Sequence, residues 1–242
     1  AVAALLKHVH WQDLLLWAGW LTVLMLPVAW FILPGHDAIA AQDAPKVQLG
    51  ELFTPGLRHR TFWLWAAVFF GLMVLYFILS WITKLSIQAG LSETNSIYAG
   101  AIYNFGAFVG TMTMSWLTVR VSLGRLIPVL LVAAAVAMMI FATIPLTLGL
   151  ALGLAFLIGV TLQGGYNGVW PLAASVYPSR CRATGIGLAM GIGRGGAVVG
   201  PWMGGVLMAA KAPLWALFAA YCVPLLICAL AAFVIGRFRA EG

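Results

Sequence analysis

Charged side chains are scarce in this chain. Only 8% of its 242 residues are charged, against about a quarter in an ordinary soluble domain, while 63% are hydrophobic and the mean hydropathy is +1.03. So little charge cannot cover a water-exposed surface, which argues against a soluble enzyme, a nucleic-acid binder and a disordered tail. Acidic residues are the rarest of all. There are six, and none falls in the middle of an apolar stretch: Asp13 stands at the start of the first and Glu93 just before the third. The four histidines (His8, His10, His36 and His59) lie in or beside connections, so the chain encodes no intramembrane Asp/Glu/His proton relay of the usual kind. The three cysteines, Cys181, Cys222 and Cys228, form no C-x-x-C pair and support neither a disulfide framework nor a zinc site. There is also no H-E-x-x-H and no buried Ser/His pair. Enzymatic chemistry, a metal, a cofactor and a nucleic-acid partner are therefore not expected.

What the chain does have is long apolar runs. Seven stand out, at about 13–33, 61–82, 96–118, 125–144, 147–176, 183–209 and 213–236. Each is long enough to cross a bilayer as a helix, and none shows the alternation of a membrane strand. The expected fold is an all-α polytopic membrane protein of about seven transmembrane helices. The breaks between runs carry the right punctuation: Pro34-Gly35, Leu91-Ser-Glu-Thr-Asn95, Pro145, Tyr177-Pro-Ser179 and Lys211-Ala-Pro213. Helix-capping and helix-ending residues concentrate there.

Seven crossings put the ends on opposite sides. One set of connections holds Lys46, Arg58, Arg60, Arg120, Arg125, Arg180, Arg182, Arg237 and Arg239, and the other holds Lys7, Lys84 and Lys211. The positive-inside rule then places the C-terminus in the cytoplasm. The segment 35–60 becomes a cytoplasmic central loop, in which Val47, Leu49, Leu52 and Phe53 form either a short helix on the membrane surface or a plain tether. The chain opens at Ala1 inside an apolar run without a charged leader, and is read as a piece of something longer rather than as a signal peptide.

A few residues are expensive where they sit. Arg194 lies near the middle of the sixth run, where an arginine costs roughly 2.5–3.5 kcal/mol to insert. Two readings remain open: an arginine satisfied by neighbouring carbonyls or a glutamine, or a cation facing a water-filled path and an anionic substrate. The same run is dense in glycine, and Gly187, Gly191, Gly195, Gly200 and Gly204 provide four-residue spacings for close helix packing, with a kink expected at Pro201. Gln163 and Asn167, four apart on the fifth run, share a face. They either bond to another helix or line a polar cavity, and Asn104 is a similar case. Phe69, Met73 and Tyr76 form a stripe on the second run, where the tyrosine hydroxyl needs a partner at that depth. Trp63, Trp65, Trp81, Trp116 and Trp215 fall near run ends, as aromatic belts do, whereas Trp170 lies deeper and can narrow a path.

Several segments together resemble a known family. Trp116-Leu-Thr-Val-Arg-Val-Ser-Leu-Gly-Arg125 is similar to the cytoplasmic G-x-x-x-D-R-x-G-R loop of the major facilitator superfamily, with Val119 in the place of the aspartate. Leu75-Tyr-Phe-Ile-Leu-Ser-Trp81, Ala89-Gly-Leu-Ser92, Tyr177-Pro-Ser-Arg-Cys-Arg-Ala-Thr-Gly185, Gly191-Ile-Gly-Arg194 and Val199-Gly-Pro201 resemble its aromatic acid:proton symporter branch, with Thr83 in place of a proline. The resemblance implies twelve helices in two six-helix halves with substrate held between them. Residues 1–34 would then be the end of the N-terminal half, and 61–242 the six-helix C-terminal half, itself two inverted three-helix repeats. It further implies proton symport of a small organic anion, with Arg194, Gln163, Asn167, Tyr76, Asn104 and Trp170 at the substrate and Gly110, Arg120, Gly124 and Arg125 in a gating loop. The partners would be protons, the lipid of the cytoplasmic membrane and an N-terminal half that carries the coupling carboxylates. Alternatives are a carrier of the same superfamily for a sugar acid, dicarboxylate or drug, and a non-transporting membrane half-protein.

Overall fold

In a computed structural model, residues 11–32 and 49–240 are described, and every regular element among them is helical. The chain divides into two units, residues 1–45 and 46–242. The first contains α1, Trp11–Ile32, with Asp13 in its first turn and Pro27 inside. An acidic residue there complements the helix dipole, and Leu16, Trp17, Trp20, Leu21 and Leu24 are all exposed on it.

The second unit holds six helical spans: α2 (Arg58–Gln88), α3 (Glu93–Leu117), α4 (Leu123–Thr143), α5 (Leu148–Val176), α6 (Ser179–Ala209) and α7 (Leu214–Ala240). Among the described residues, α2, α4, α5 and α7 are long and apolar enough to cross a membrane. α3 and α6 are as long but less apolar, because they carry Asn95 and Asn104, and Arg194 with a run of glycines, respectively. The breaks are chemically plain. Ser92 and Thr147 cap α3 and α5 with their hydroxyls. α2 ends at Gly90, whose φ of 97° suits glycine alone, with the Leu91 N–H donating back to the Ser86 carbonyl. α6 ends in the same way at Lys211, φ 55°, with Ala212 bonded to Leu207.

Three helix pairs organise the unit: α2 with α6, α3 with α5, and α4 with α7. Lipid offers no hydrophobic drive for such pairing, so close van der Waals contact must supply it. Glycine makes that contact possible in all three. A Cβ on Gly196 or Gly200 would run into the carbonyl oxygens of Phe69 and Met73, and one on Gly106 or Gly110 into those of Phe156 and Val160. Gly124 and Gly236 meet Cα to Cα between α4 and α7.

Here the structure corrects the expected packing row. Gly200 and Gly204 do face α2, together with Gly193 and Gly196, but a Cβ on Gly187 or Gly191 would meet nothing within 4 Å, and one on Gly195 only the Phe69 ring. The rows 187/191/195 and 196/200/204 differ by one residue, which rotates them about 100° apart on the helix. Gly110 is also displaced from its expected role. It lies within α3 against α5, not in the loop at 118–122.

Two tryptophans expected in an interfacial belt are packing residues instead. Trp81 donates its indole N–H to the Pro201 carbonyl of α6 at 3.0 Å, and the indole nitrogen of Trp65 is buried without a partner. Trp116 and Trp215 are exposed. Of the loop 35–60, residues 35–48, Val47 among them, lie outside the described residues. Leu49–Phe53 forms a short 3-10 turn whose Leu52 is fully buried, not laid on a surface. Thr61 donates to the Leu52 carbonyl at 3.1 Å and accepts from the Tyr177 phenol at 3.2 Å, while Arg180 pairs with Glu51 at 2.6 Å. Burial pushes the Tyr177 phenol above its usual range, partly offset by that bond to Thr61. This pins the turn to the α5–α6 corner.

Gly196→Val should cost at least about 1–3 kcal/mol through overpacking against the Phe69 carbonyl, whereas Gly187→Ala should be neutral or slightly stabilising. Thermal unfolding of the detergent-solubilised protein distinguishes the two, and equal losses would refute the assigned row.

Candidate functional site

Arg194 stands two residues before Gly196, on the open face of α6 that also carries Gly187, Gly191, Val198 and Trp202. The close α2–α6 approach sets its height. Its Nη1 donates to the Tyr76 hydroxyl of α2 at 3.2 Å. Among the described residues no carboxylate pairs with it and no other hydrogen bond reaches the guanidinium. The tyrosine expected to need a partner and the arginine expected to be costly therefore solve part of each other's problem. A neutral phenol satisfies one donor and leaves the positive charge uncompensated, with its planar fork of donors free for an anion.

Behind this pair stands a residue the sequence reading passed over. Tyr166 of α5 is 3% exposed, its hydroxyl has no hydrogen-bond partner among the described residues, and it lies close enough to Arg194 and Tyr76 to feel both. Its ring lies where a Cβ on Gly71 would be, and Trp170 meets it edge-on at 5.9 Å between centroids. Trp170 is thus half-buried against Tyr166. The signal was an i, i+4 aromatic pair, Tyr166 and Trp170, starting in the Gly-Gly-Tyr-Asn-Gly segment 164–168, which reads as ordinary core until Arg194 is placed beside it.

Gln163 and Asn167 do share a face, and Gln163 donates to the Asn167 side-chain oxygen at 3.2 Å. Asn167 in turn donates to the Thr111 hydroxyl of α3 at 2.7 Å, and Thr111 to the Ala107 carbonyl at 2.8 Å. The Asn167 N–H thus joins α5 to α3, which is the interhelical reading, while its oxygen is used by Gln163 of the same helix. Gln163 lies at the end of a widened turn, Gly159–Gln163, in which the backbone bonds i to i+5. Such turns inside a helix are frequent at functional sites. Asn104 is exposed on α3 and donates to the Gly100 carbonyl at 2.8 Å.

Three residues of the expected gating loop stand at or beside the connection between α3 and α4. Arg120 stacks over Trp116 at 4.4 Å, Gly124 abuts Gly236 of α7, and Arg125 is exposed. Residues 118–124 with Leu172 and Gly236 line an open groove of about 430 Å³ at that end of the unit.

The sequence profile of the Major Facilitator Superfamily matches residues 1–201. The chain belongs to the Major Facilitator Superfamily. Among its relatives in this superfamily, the gallate transporter of Pseudomonas putida is 26% identical over 98% of this chain and 60% of its own length. The 4-hydroxybenzoate transporter PcaK of Acinetobacter baylyi is 28% identical over 93% of this chain and 57% of its own. PcaK of Pseudomonas putida is 31% identical over 74% of this chain. The chain spans at most about three fifths of the length of these relatives. Like other members of the superfamily it is an integral membrane protein, and each of these relatives is named for carrying an aromatic acid.

The bond between α3 and α5 should show as a coupling energy. In a double-mutant cycle of Thr111→Val and Asn167→Ala, unfolding should report about 0.6–1.7 kcal/mol between the two sites. Additive effects would mean that the amide is not held across the helices.

Proposed function

We propose that the chain forms part of a secondary transporter for a small aromatic carboxylate, and that Arg194 holds the carboxylate. The observation that carries this reading is a guanidinium at the middle of α6, on its exposed face, whose hydrogen bond among the described residues is to the Tyr76 phenol, with Tyr166 of α5 close by. A guanidinium can grip both carboxylate oxygens through parallel hydrogen bonds, each charge-assisted and so stronger than a neutral one. The ring of the ligand would lie against apolar and aromatic surface, while the names of the relatives support aromatic acids over the sugar acids and dicarboxylates that the arginine alone would also accept.

Transport in this reading is proton-coupled and proceeds by alternating access. This chain contributes the anion side. No carboxylate falls in the middle of a described span, where Asp13 and Glu93 stand only in first turns, and the coupling carboxylates belong in this reading to the rest of a longer carrier like these relatives. The cytoplasmic end of the unit is the one bearing Arg58, Arg60, Arg120, Arg125, Arg180, Arg182 and Arg237, opposite Lys84 and Lys211. The C-terminus of α7 is then cytoplasmic.

In cells expressing the full-length protein, Arg194→Lys should lower the kcat/KM for uptake of a radiolabelled benzoate-type acid roughly 10- to 100-fold, as expected for losing one or more charge-assisted hydrogen bonds. Tyr76→Phe should cost less, since it frees a guanidinium donor without removing the cation. Near-normal uptake by Arg194→Lys at wild-type membrane levels would overturn the assignment.

A further inference from the structure

The two glycine-lined helix pairs share a numerical register. Gly196 and Gly200 of α6 sit on the carbonyls of Phe69 and Met73 of α2, while Gly106 and Gly110 of α3 sit on those of Phe156 and Val160 of α5. Moving from the α3 glycines to the α6 glycines adds 90 to the residue number, and moving from the α2 carbonyls to the α5 carbonyls adds 87. The same offsets hold elsewhere. Gly193 of α6 meets Leu72, and 90 residues before it Tyr103 meets Gly159, which is 87 after Leu72. The order of buried, half-buried and exposed positions over 101–110 recurs without change over 191–200. Exchanging α2 with α5 and α3 with α6 thus maps one pair onto the other, and the partners swap as a two-fold operation requires.

Applied to the arginine site, the operation has a definite result. Arg194 maps onto Asn104, and Tyr76 onto Gln163. Both α3 and α6 positions are exposed, and both α2 and α5 positions are half-buried. The exchange runs between helices of opposite direction, so its axis lies in the membrane plane and the two polar pairs stand at equal distances from it. One pair is a cation with a phenol. Its counterpart is two carboxamides, which are neutral and can each donate and accept. Their bonds to other residues leave capacity unused: Asn104 reaches only the Gly100 carbonyl of its own helix, and Gln163 uses its amine toward Asn167.

We propose that Asn104 and Gln163 form a second polar subsite, the symmetry counterpart of Arg194 and Tyr76, and that they determine specificity by hydrogen-bonding the uncharged end of the ligand. This rests on the reading of Arg194 as the carboxylate anchor. The subsite is selective in a particular sense. A carboxamide pair that hydrogen-bonds a hydroxyl disfavours a ligand lacking it, because polar groups dehydrated by binding are left unpaired. A second cation would instead have selected a dicarboxylate.

The test uses the full-length protein in membrane vesicles with two probes, benzoate and 4-hydroxybenzoate, as competitors of labelled uptake. Asn104→Leu and Gln163→Leu should each weaken 4-hydroxybenzoate about tenfold and benzoate less than threefold, so that the ratio of the two inhibition constants shifts. Asn104→Gln, which keeps a carboxamide, should recover much of the ratio. Arg194→Gln should weaken both probes alike. A ratio unchanged in both leucine variants, at wild-type protein levels, would overturn the subsite while leaving the arginine anchor in place. A wild-type protein that neither probe inhibits would overturn the anchor and the subsite with it.

Discussion

The contact between a glycine Cα and a carbonyl oxygen on the facing helix is the constraint on which the rest of the unit depends. A bilayer gives no reward for bringing apolar side chains together, since lipid already surrounds them with hydrocarbon. Helices in this chain instead approach until backbone meets backbone, and only residues without a Cβ permit that at Gly196, Gly200, Gly106 and Gly110. Such a contact has little tolerance along the helix axis. Once Gly196 is seated on Phe69 and Gly200 on Met73, the height of Arg194 relative to Tyr76 is fixed, and the arginine–phenol bond follows from the packing rather than from any search by a flexible side chain.

The electrostatics then follow from what surrounds the arginine. An intramembrane cation is usually neutralised by an acid, and a buried ion pair of that kind would offer a ligand little. Here the first partner is a hydroxyl, and the described spans bring no carboxylate to it. The charge stays available, and in the proposed function an arriving anion would supply the compensation. The bond from Asn167 to Thr111 has a different task. It ties α5 to α3 beside the widened turn and so stiffens the helix where its backbone is least regular.

Much of this was legible in the residues. Run lengths placed the seven described helical spans to within six residues at either end, and the cost of an arginine in the middle of an apolar run singled out Arg194 without knowledge of its neighbours. The need of Tyr76 for a partner was likewise visible. The phase of α6 was not. A helix with glycines at 187, 191, 195, 196, 200 and 204 offers two four-residue rows, and sequence gives no reason to prefer either; the choice is made by the carbonyls of α2. Gly110 was assigned to a loop because a motif was extended past its matching residues. Leu52 and Tyr166 were missed for a related reason, since an apolar residue in a connection and a tyrosine in a glycine-rich helix carry no mark of what they will touch. The two-fold register became apparent only when contacts supplied the offsets, because α2 and α5 share almost no residues at matching positions.

In the proposed function, the charge of Arg194 is what recognises a ligand. The most direct measurement is equilibrium binding of benzoate and of its uncharged methyl ester to the purified full-length protein and to Arg194→Gln. The wild-type protein should prefer the carboxylate strongly, and the variant should lose the preference, binding acid and ester with similar weak affinity. A variant that still favours the acid over the ester would contradict it.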